Sequence, residues 1–490
     1  MRVAFLLGIV IAAGLVMVSA GAAHATPAQP TFAADVAPIL YANCVSCHRT
    51  GEVAPFTLTS YDDARKRAKT IARVTGERFM PPWKPEAGHG DFKHVRRLTD
   101  EQVKTLSAWA EAGAPEGDAK QTPPLPKFPD GWQLGEPDLV VTMPETYTLR
   151  AEGRDDYRCF VLPLNLDADK FVSAVEFRPG NRKVVHHALF FLDTTGKARE
   201  LDEKADGPGY AMMGGIGFLP TGSLGGWAPG YMPQRLPDGI ARRVRKGSDL
   251  VLQTHFHPSG KIETERSTVG IYFAKKTPDK LLVSIPRAIR KLEIPAGEKD
   301  YRINHEGTLP LEVELIGITP HAHLLCKEIK VDATLPDGTP KPLIWIKDWD
   351  FNWQGQYRYA APVHLPKGTR VQMRYVYDNS DGNPRNPASP PKLVTWGEET
   401  NDEMAIAFLE FVLPSPADVP AFRTSAMLQT LDSFLAAGGG IDDLPPGVAG
   451  GAAQRLRQAF QLFDRNRDGR LDDPERTALM EVVRGLVAEP

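Results

Sequence analysis

The stretch "VVHHALFF" places His186 and His187 side by side, and two further groups follow: His255 with His257 in "LQTHFHPSG", and His321 with His323 in "TPHAHLLCK". Residues two apart on a strand share a face, so each His-X-His pair offers two imidazoles to one side, a good half-site for copper or zinc. Adjacent strand residues leave on opposite faces. His186 and His187 therefore reach one metal only if the strand ends or bulges there, with a third ligand supplied by another strand. One such pair says little, since exposed strand histidines are common; three groups within one β-rich region point to metal binding. His305 and His364 have no partner at ligand spacing and read as ordinary surface or core residues.

A second chemical motif is "CVSCH", Cys44 to His48, the pattern for c-type haem attachment. Cys44 and Cys47 form the thioethers, and His48 falls beneath the iron. A redox disulfide or half of a zinc site are the competing explanations, but neither accounts for His48 directly after Cys47. Met80 in "RFMPPW" is the expected sixth ligand, on a loop stiffened by Pro81 and Pro82, with His89 and His94 as competitors. Near the C-terminus "DRNRDGRLDDPE" matches a twelve-residue calcium loop. Asp464, Asn466 and Asp468 take the early ligand positions, Arg470 contributes its carbonyl, Asp472 acts through water, and Glu475 closes the loop. The flanks have helical apolar spacing, so an EF-hand is expected; no second loop is visible to pair with it.

These residues sit in a chain of 490 residues with 58 Lys+Arg against 61 Asp+Glu, a formal charge of -3 that offers no basic field for nucleic acid. Forty-three prolines and forty-three glycines lie between short β-branched and aromatic runs, which favours β-rich domains. The first residues, "MRVAFLLGIVIAAGLVMVSAGAAHA", read as a secretory signal over 1–25, with an uncleaved membrane anchor as the alternative; both place the rest outside the cytoplasm. "LTDEQVKTLSAWAEAG" carries a capping box, Thr99 with Gln102, and helical spacing at Val103, Leu106 and Trp109. In "RVQMRYVYDN" the period changes to two, and "LPDGTPK" supplies a Pro336-Asp337-Gly338 turn.

The sequence resembles the copper type II, ascorbate-dependent monooxygenases, the group of the peptidylglycine α-hydroxylating and dopamine β-monooxygenases. The resemblance runs from "DYRCFVLP" at Asp156 to "EMAIAFLEF" at Phe411 and rests on "HHALFF", "LVLQTHFHPSG", "PHAHLL" and "NDEMAIAF" occurring in that order. It implies one copper on His186, His187 and His255, holding an electron, and a second on His321, His323 and Met404, whose thioether favours the Cu(I) state that meets dioxygen. His257 is left over, and reads as a solvent-facing or supporting residue rather than a ligand. Where peptide-amidating members recognise a substrate carboxylate, this chain has Thr319, Ile406 and Phe408, which lack the cation a carboxylate needs. A small, apolar C–H substrate is expected instead. Cys159 and Cys326 form a disulfide or remain buried free thiols.

The expected architecture is multidomain: an all-α cytochrome c domain, two all-β sandwich (jelly-roll-like) domains and a C-terminal helical EF-hand. The boundaries read as a signal at 1–25, the haem domain at 27–118, a Pro-rich linker at 119–137, sandwiches at 138–285 and 286–415, a flexible linker at 436–453 and the EF-hand at 454–487. The expected function is a periplasmic or secreted copper-dependent monooxygenase with two copper ions, haem c and calcium. Its partners are dioxygen, a small-molecule substrate and a periplasmic electron donor, with neither nucleic acid nor a membrane span after signal cleavage. A non-catalytic copper and haem protein for electron transfer or copper storage is the alternative, and a calcium-regulated binding protein ranks behind it.

Overall fold

The computed structural model describes residues 29–52, 54–129, 131–213, 215–440 and 451–488. The expected signal segment and most of the linker at 436–453 lie outside them. Strands dominate, because period-two runs such as "RVQMRYVY" bury one face: Val371, Met373, Tyr375 and Tyr377 all point into a core.

Three sheets build two stacked layers. A five-stranded antiparallel sheet runs in the spatial order Tyr210–Ala211, Asp156–Pro163, Asp249–Phe256, Val185–Asp193, Gly222–Trp227. A four-stranded sheet has the order Tyr301–Thr308, Arg370–Tyr377, Cys326–Thr334, Pro340–Ile346. Both lie against one eight-stranded sheet. Phe160, Leu162, Phe190 and Leu252 of the five-stranded sheet meet Val172, Phe177, Val269 and Ile271 in the first core. Ile329, Val331, Met373 and Tyr375 of the four-stranded sheet meet Val283, Leu315, Leu409 and Phe411 in the second. The eight-stranded sheet is continuous because Ile240–Val244 pairs in parallel with Lys280–Ala288 through Lys280↔Ile240 and Leu281↔Ala241. Strand Lys280–Ala288 spans the sequence-based junction at 285–286 and belongs to the second sandwich through its pairing with Ile406–Val412.

A buried charge triad locks this seam. Glu410 receives Arg242 from the first half of the sheet and Arg358 from the outer strand of the second, the latter at 3.0 Å. Burial alone would raise the Glu410 carboxyl, but Arg358 and Arg242 hold it below the usual carboxylate range.

The expected all-α cytochrome domain is not what the chain forms. Residues 32–111 contribute four helices of six to twelve residues, Ala37–Asn43, Tyr61–Lys66, Ala68–Gly76 and Asp100–Glu111, around a small core of Phe32, Leu40, Leu106 and Trp109. The Thr99–Gln102 capping box forms as expected. From Glu77 to Thr99, however, there is no helix: Pro81, Pro82 and Pro85 remove backbone donors, and the stretch joins the second sandwich. Pro85 and Phe92 form bridges to Ile346 and Tyr359, and the Glu86 amide donates to the Trp345 carbonyl at 2.7 Å. Phe92 is part of the second sandwich's core, and the half-buried Trp83 packs against it. The Thr99-capped helix was legible from its own residues; the prolines before it send the chain into a β neighbour.

At the C-terminus helix Val419–Ala436 ties two units together. Phe422 and Ala426 enter the second sandwich's core, whereas Phe434 and Leu435 pack with Phe460, Leu479 and Met480 of the helices Gly451–Phe463 and Asp473–Ala488 and with Leu471 of the loop between them. Cys159 and Cys326 are buried free thiols on different sheets. Among the described residues no helix is long and apolar enough to cross a membrane.

Replacing Glu410 with alanine leaves two buried guanidinium groups facing each other and should cost about 3–5 kcal/mol, seen as a lowered thermal midpoint. Since the folded carboxyl titrates below its unfolded value, this contribution is present above the unfolded pKa and fades as pH falls through the folded one.

Candidate metal centres

The adjacent histidines are resolved by a bulge. Along the pairing of Val185–Asp193 with Asp249–Phe256 the register shifts between Val185 and His187, where His187 faces His255 across the ladder. The extra residue turns His186 toward the same side. As a result His186 Nδ1 stands 3.2 Å and His255 Nδ1 3.4 Å from His187 Nδ1. Nitrogens bound at 2.0–2.1 Å around one tetrahedral ion are about 3.3 Å apart, and the three ligand nitrogens, all within 4.8 Å of one another, are near enough to share one ion. Burial pushes His186 down to about 3, with His255 adding to the effect, and pushes His187 well below the ordinary range for the same reasons. Both rings are therefore neutral, as metal ligands must be.

Asp155 supports this group. Its carboxylate lies 2.8 Å from His255 Nε2, 2.8 Å from His257 Nδ1 and 2.6 Å from the Thr400 hydroxyl that donates to it. Burial works to raise the Asp155 carboxyl, but the bonds from His255 and Thr400 leave it far below the usual range. An Nε2–H donated to Asp155 leaves His255 Nδ1 as the lone pair aimed at the other histidines. Tyr157, its cross-strand partner, stacks on the His255 ring at 4.2 Å. His257 is an exposed residue held by the same carboxylate.

The second group ends strand Val313–His321. His321 Nδ1 lies 2.5 Å from Gln354 Oε1, and His323 Nδ1 3.1 Å from the Asp402 carbonyl, so both present Nε2 outward from these anchors. Burial pushes His321 down to about 4 and His323 to about 3, His321 adding to the latter. The buried Glu403 carboxylate gathers the backbone amides of His323 at 2.9 Å, Leu325 at 2.5 Å and Met404 at 3.1 Å. Its Oε2 is shared by His323 and Met404, which fixes those two ligand candidates as neighbours. Burial pushes Glu403 up to about 8 against these bonds. Thr319 and His321 pair across the ladder with Phe408 and Ile406, so the positions expected to meet substrate border this group.

Phe351 joins the two groups. Its ring stacks on His186 at 5.1 Å and meets His323 edge-on at 5.5 Å. It also lines a cavity of about 370 Å³ with Phe79, Lys84, Leu324, Asp348 and Arg385.

The haem motif is docked beside the first group. Arg49 contacts the Ser46 carbonyl at 2.5 Å and Glu52 at 2.8 Å, and Glu52 pairs with Arg182, ahead of the histidine strand, at 2.6 Å. Cys44 and Cys47 are half-buried and free, and burial pushes the Cys44 thiol up to about 12. His48 Nδ1 sits 3.1 Å from the Phe56 carbonyl, which leaves Nε2 for an iron. Met80 is half-buried on the loop after Ala68–Gly76, its amide bonded to the Val74 carbonyl at 3.0 Å. Its neighbour Phe79 meets Trp353 edge-on at 6.2 Å. His89 packs on Trp345, and His94 is exposed.

In the C-terminal loop Asp464 Oδ2 accepts from the Gly469 amide at 3.0 Å, while Asp464 Oδ1 is buried with no partner. Asp468 Oδ1 accepts from the Arg470 amide, and Asp472 and Glu475 exchange backbone-to-carboxylate bonds. An orphaned carboxylate oxygen in a closed acidic loop fits a cation.

Sequence reading missed Asp155, Thr400, Gln354, Phe351 and Glu403. Glu403 stands beside Met404 in "NDEMAIAF", whereas the others become neighbours of the histidines only through pairing and loops.

No protein-family model matches the chain, and no curated relative does. Among solved structures it is similar to the major capsid protein P2 of bacteriophage PM2, at 9% identity and TM-score 0.24, over 56% of this chain and 96% of that one. It is also similar to the VP2 subviral particle of infectious bursal disease virus, at 8% identity and TM-score 0.17, over 57% and 72%. A tandem carbohydrate-binding CBM22 pair from Paenibacillus barcinonensis Xyn10C follows at 9% and TM-score 0.13, over 56% and 92%. Likeness at these scores carries no argument about function.

Asp155→Asn should weaken metal binding at His186, His187 and His255 by about 10–100-fold while leaving the fold intact. Calorimetric titration of the metal-free protein with copper measures it, and an unchanged affinity would remove Asp155 from this role.

Proposed function

We propose that the protein is a periplasmic copper-dependent monooxygenase that hydroxylates a C–H bond of a small, apolar substrate. The observation that carries this is the convergence of three imidazoles at a strand bulge, with His321 and His323 nearby and the backbone amides of His323 and Met404 held by one carboxylate. An all-imidazole set and a set containing a thioether are chemically unlike, which suits one site to electron storage and the other to dioxygen. Copper bound at both would supply one-electron cycling and oxygen activation. The net reaction takes one dioxygen, two electrons and two protons, placing one oxygen on carbon and releasing the other as water.

The chain's own groups perform the positioning. Asp155 fixes the His255 tautomer; Gln354 and the Asp402 carbonyl do the same for His321 and His323. Glu403 keeps Met404 beside His323. Phe351 places one aromatic ring against both groups, touching His186 and His323. Thr319, Ile406 and Phe408 offer no cation, so a peptide ending in glycine is not the substrate.

In this reading haem c is held by Cys44, Cys47 and His48, with Met80 as sixth ligand, and brings electrons from a periplasmic donor. The Arg49–Glu52–Arg182 network supports that role by tying the motif to the histidine strand. Calcium at Asp464, Asn466, Asp468, Arg470, Asp472 and Glu475 is proposed to stabilise the helix pair packed on Val419–Ala436.

Met404→Ala should abolish dioxygen consumption by the reduced, copper-loaded protein while the His186/His187/His255 copper stays reducible. Full oxygen uptake in that variant would contradict the assigned role. Uptake absent from the wild type with every C–H substrate tried would favour the non-catalytic electron carrier.

A further inference from the structure

Arg287 is a buried cation with no counter-charge among the described residues. It lies at the end of strand Lys280–Ala288, on the face that sends Val283 and Ile285 into the second core, and is 4% exposed. Among the described residues no carboxylate lies within ion-pair distance, and its Nη1 has no hydrogen-bond partner. Burial lowers its pKa to about 10, which still leaves it charged at neutral pH. Facing it is strand Tyr301–Thr308, where His305, 9% exposed, also has an unpartnered buried Nε2. Two residues on, Gly307 lets the guanidinium lie against bare backbone: a Cβ there would stand 3.4 Å from Arg287 Nη1 and 2.9 Å from Gln429 Oε1.

The roof is helix Val419–Ala436. Its Gln429 spends both ends of its amide on the Thr308 backbone, at 3.1 and 2.7 Å, and so cannot neutralise the arginine. Burial and the nearby Arg287 push His305 down to about 4, so this imidazole is neutral and able to donate one N–H. A buried, paired charge is tolerated; an unpaired one is costly unless a counter-ion accompanies it.

We propose that Arg287 and His305 form a binding site for a small inorganic anion of the halide type, enclosed beneath helix Val419–Ala436. The guanidinium supplies the charge and His305 Nε2–H a second donor, while Gly307 lets the guanidinium lie close to the backbone of the facing strand. The site lies in the second sandwich, apart from the histidine centres, and does not depend on the metal assignment. Its ligand would act as a structural part of the seat on which the C-terminal helices rest.

Bromide is the probe. In full-length protein at constant ionic strength, replacing gluconate with bromide should raise the thermal midpoint saturably, and bromide-soaked crystals should show an anomalous peak within hydrogen-bond distance of Arg287. Arg287→Met should lose both. His305→Leu should keep the peak but bind about tenfold more weakly, the loss of one charge-assisted hydrogen bond. A wild-type midpoint indifferent to bromide, or bromide bound only elsewhere, would overturn the proposal.

Discussion

The alternation of side chains along a strand forbids two neighbouring residues from meeting at one point, and the bulge between Val185 and His187 lifts that constraint. Everything at the first centre follows from it. The bulge brings His186 round, the flanking strand supplies His255 opposite His187, and Asp155 turns His255 so that its free nitrogen completes the group. The strand can bear the irregularity because its remaining residues, Ala188, Phe190 and Leu192, are anchored in the first core.

The same carboxylate reaches beyond its own sandwich. Thr400 donates to Asp155, and Tyr157 donates to the Glu398 carbonyl, so the segment leading to Glu403 and Met404 is held by the first sandwich. Phe351 fills the space between, and the Glu410 triad closes the sheet beneath. The two histidine groups are thus parts of one framework rather than sites on independent domains. The proline-rich stretch after Gly76 adds the N-terminal helices to it, which is why they do not form a separate all-α body.

Much of the centre was legible because metal ligands are chemically distinctive and strand periodicity says which of them share a face. The His-X-His pairs, the need for a bulge at His186–His187 and the Thr99 cap could all be read locally. The residues that orient the ligands could not: Asp155 is a hundred positions from His255, and Gln354 and Phe351 approach through a loop with no period. Nor did periodicity show that a single sheet crosses both sandwiches, since that depends on a two-residue parallel contact. Helix Val419–Ala436 went unread as a partner for the last helix pair because its apolar residues serve two cores at once.

The central claim is that the chain holds two chemically different copper sites. Metal analysis of protein matured in a haem-attaching periplasm, with electron paramagnetic resonance of the oxidised form, tests it most directly. Two coppers per chain with distinguishable signals, one of them lost in His323→Ala and the other in His187→Ala, is the predicted result. A single copper, or zinc in place of the pair, would contradict the account.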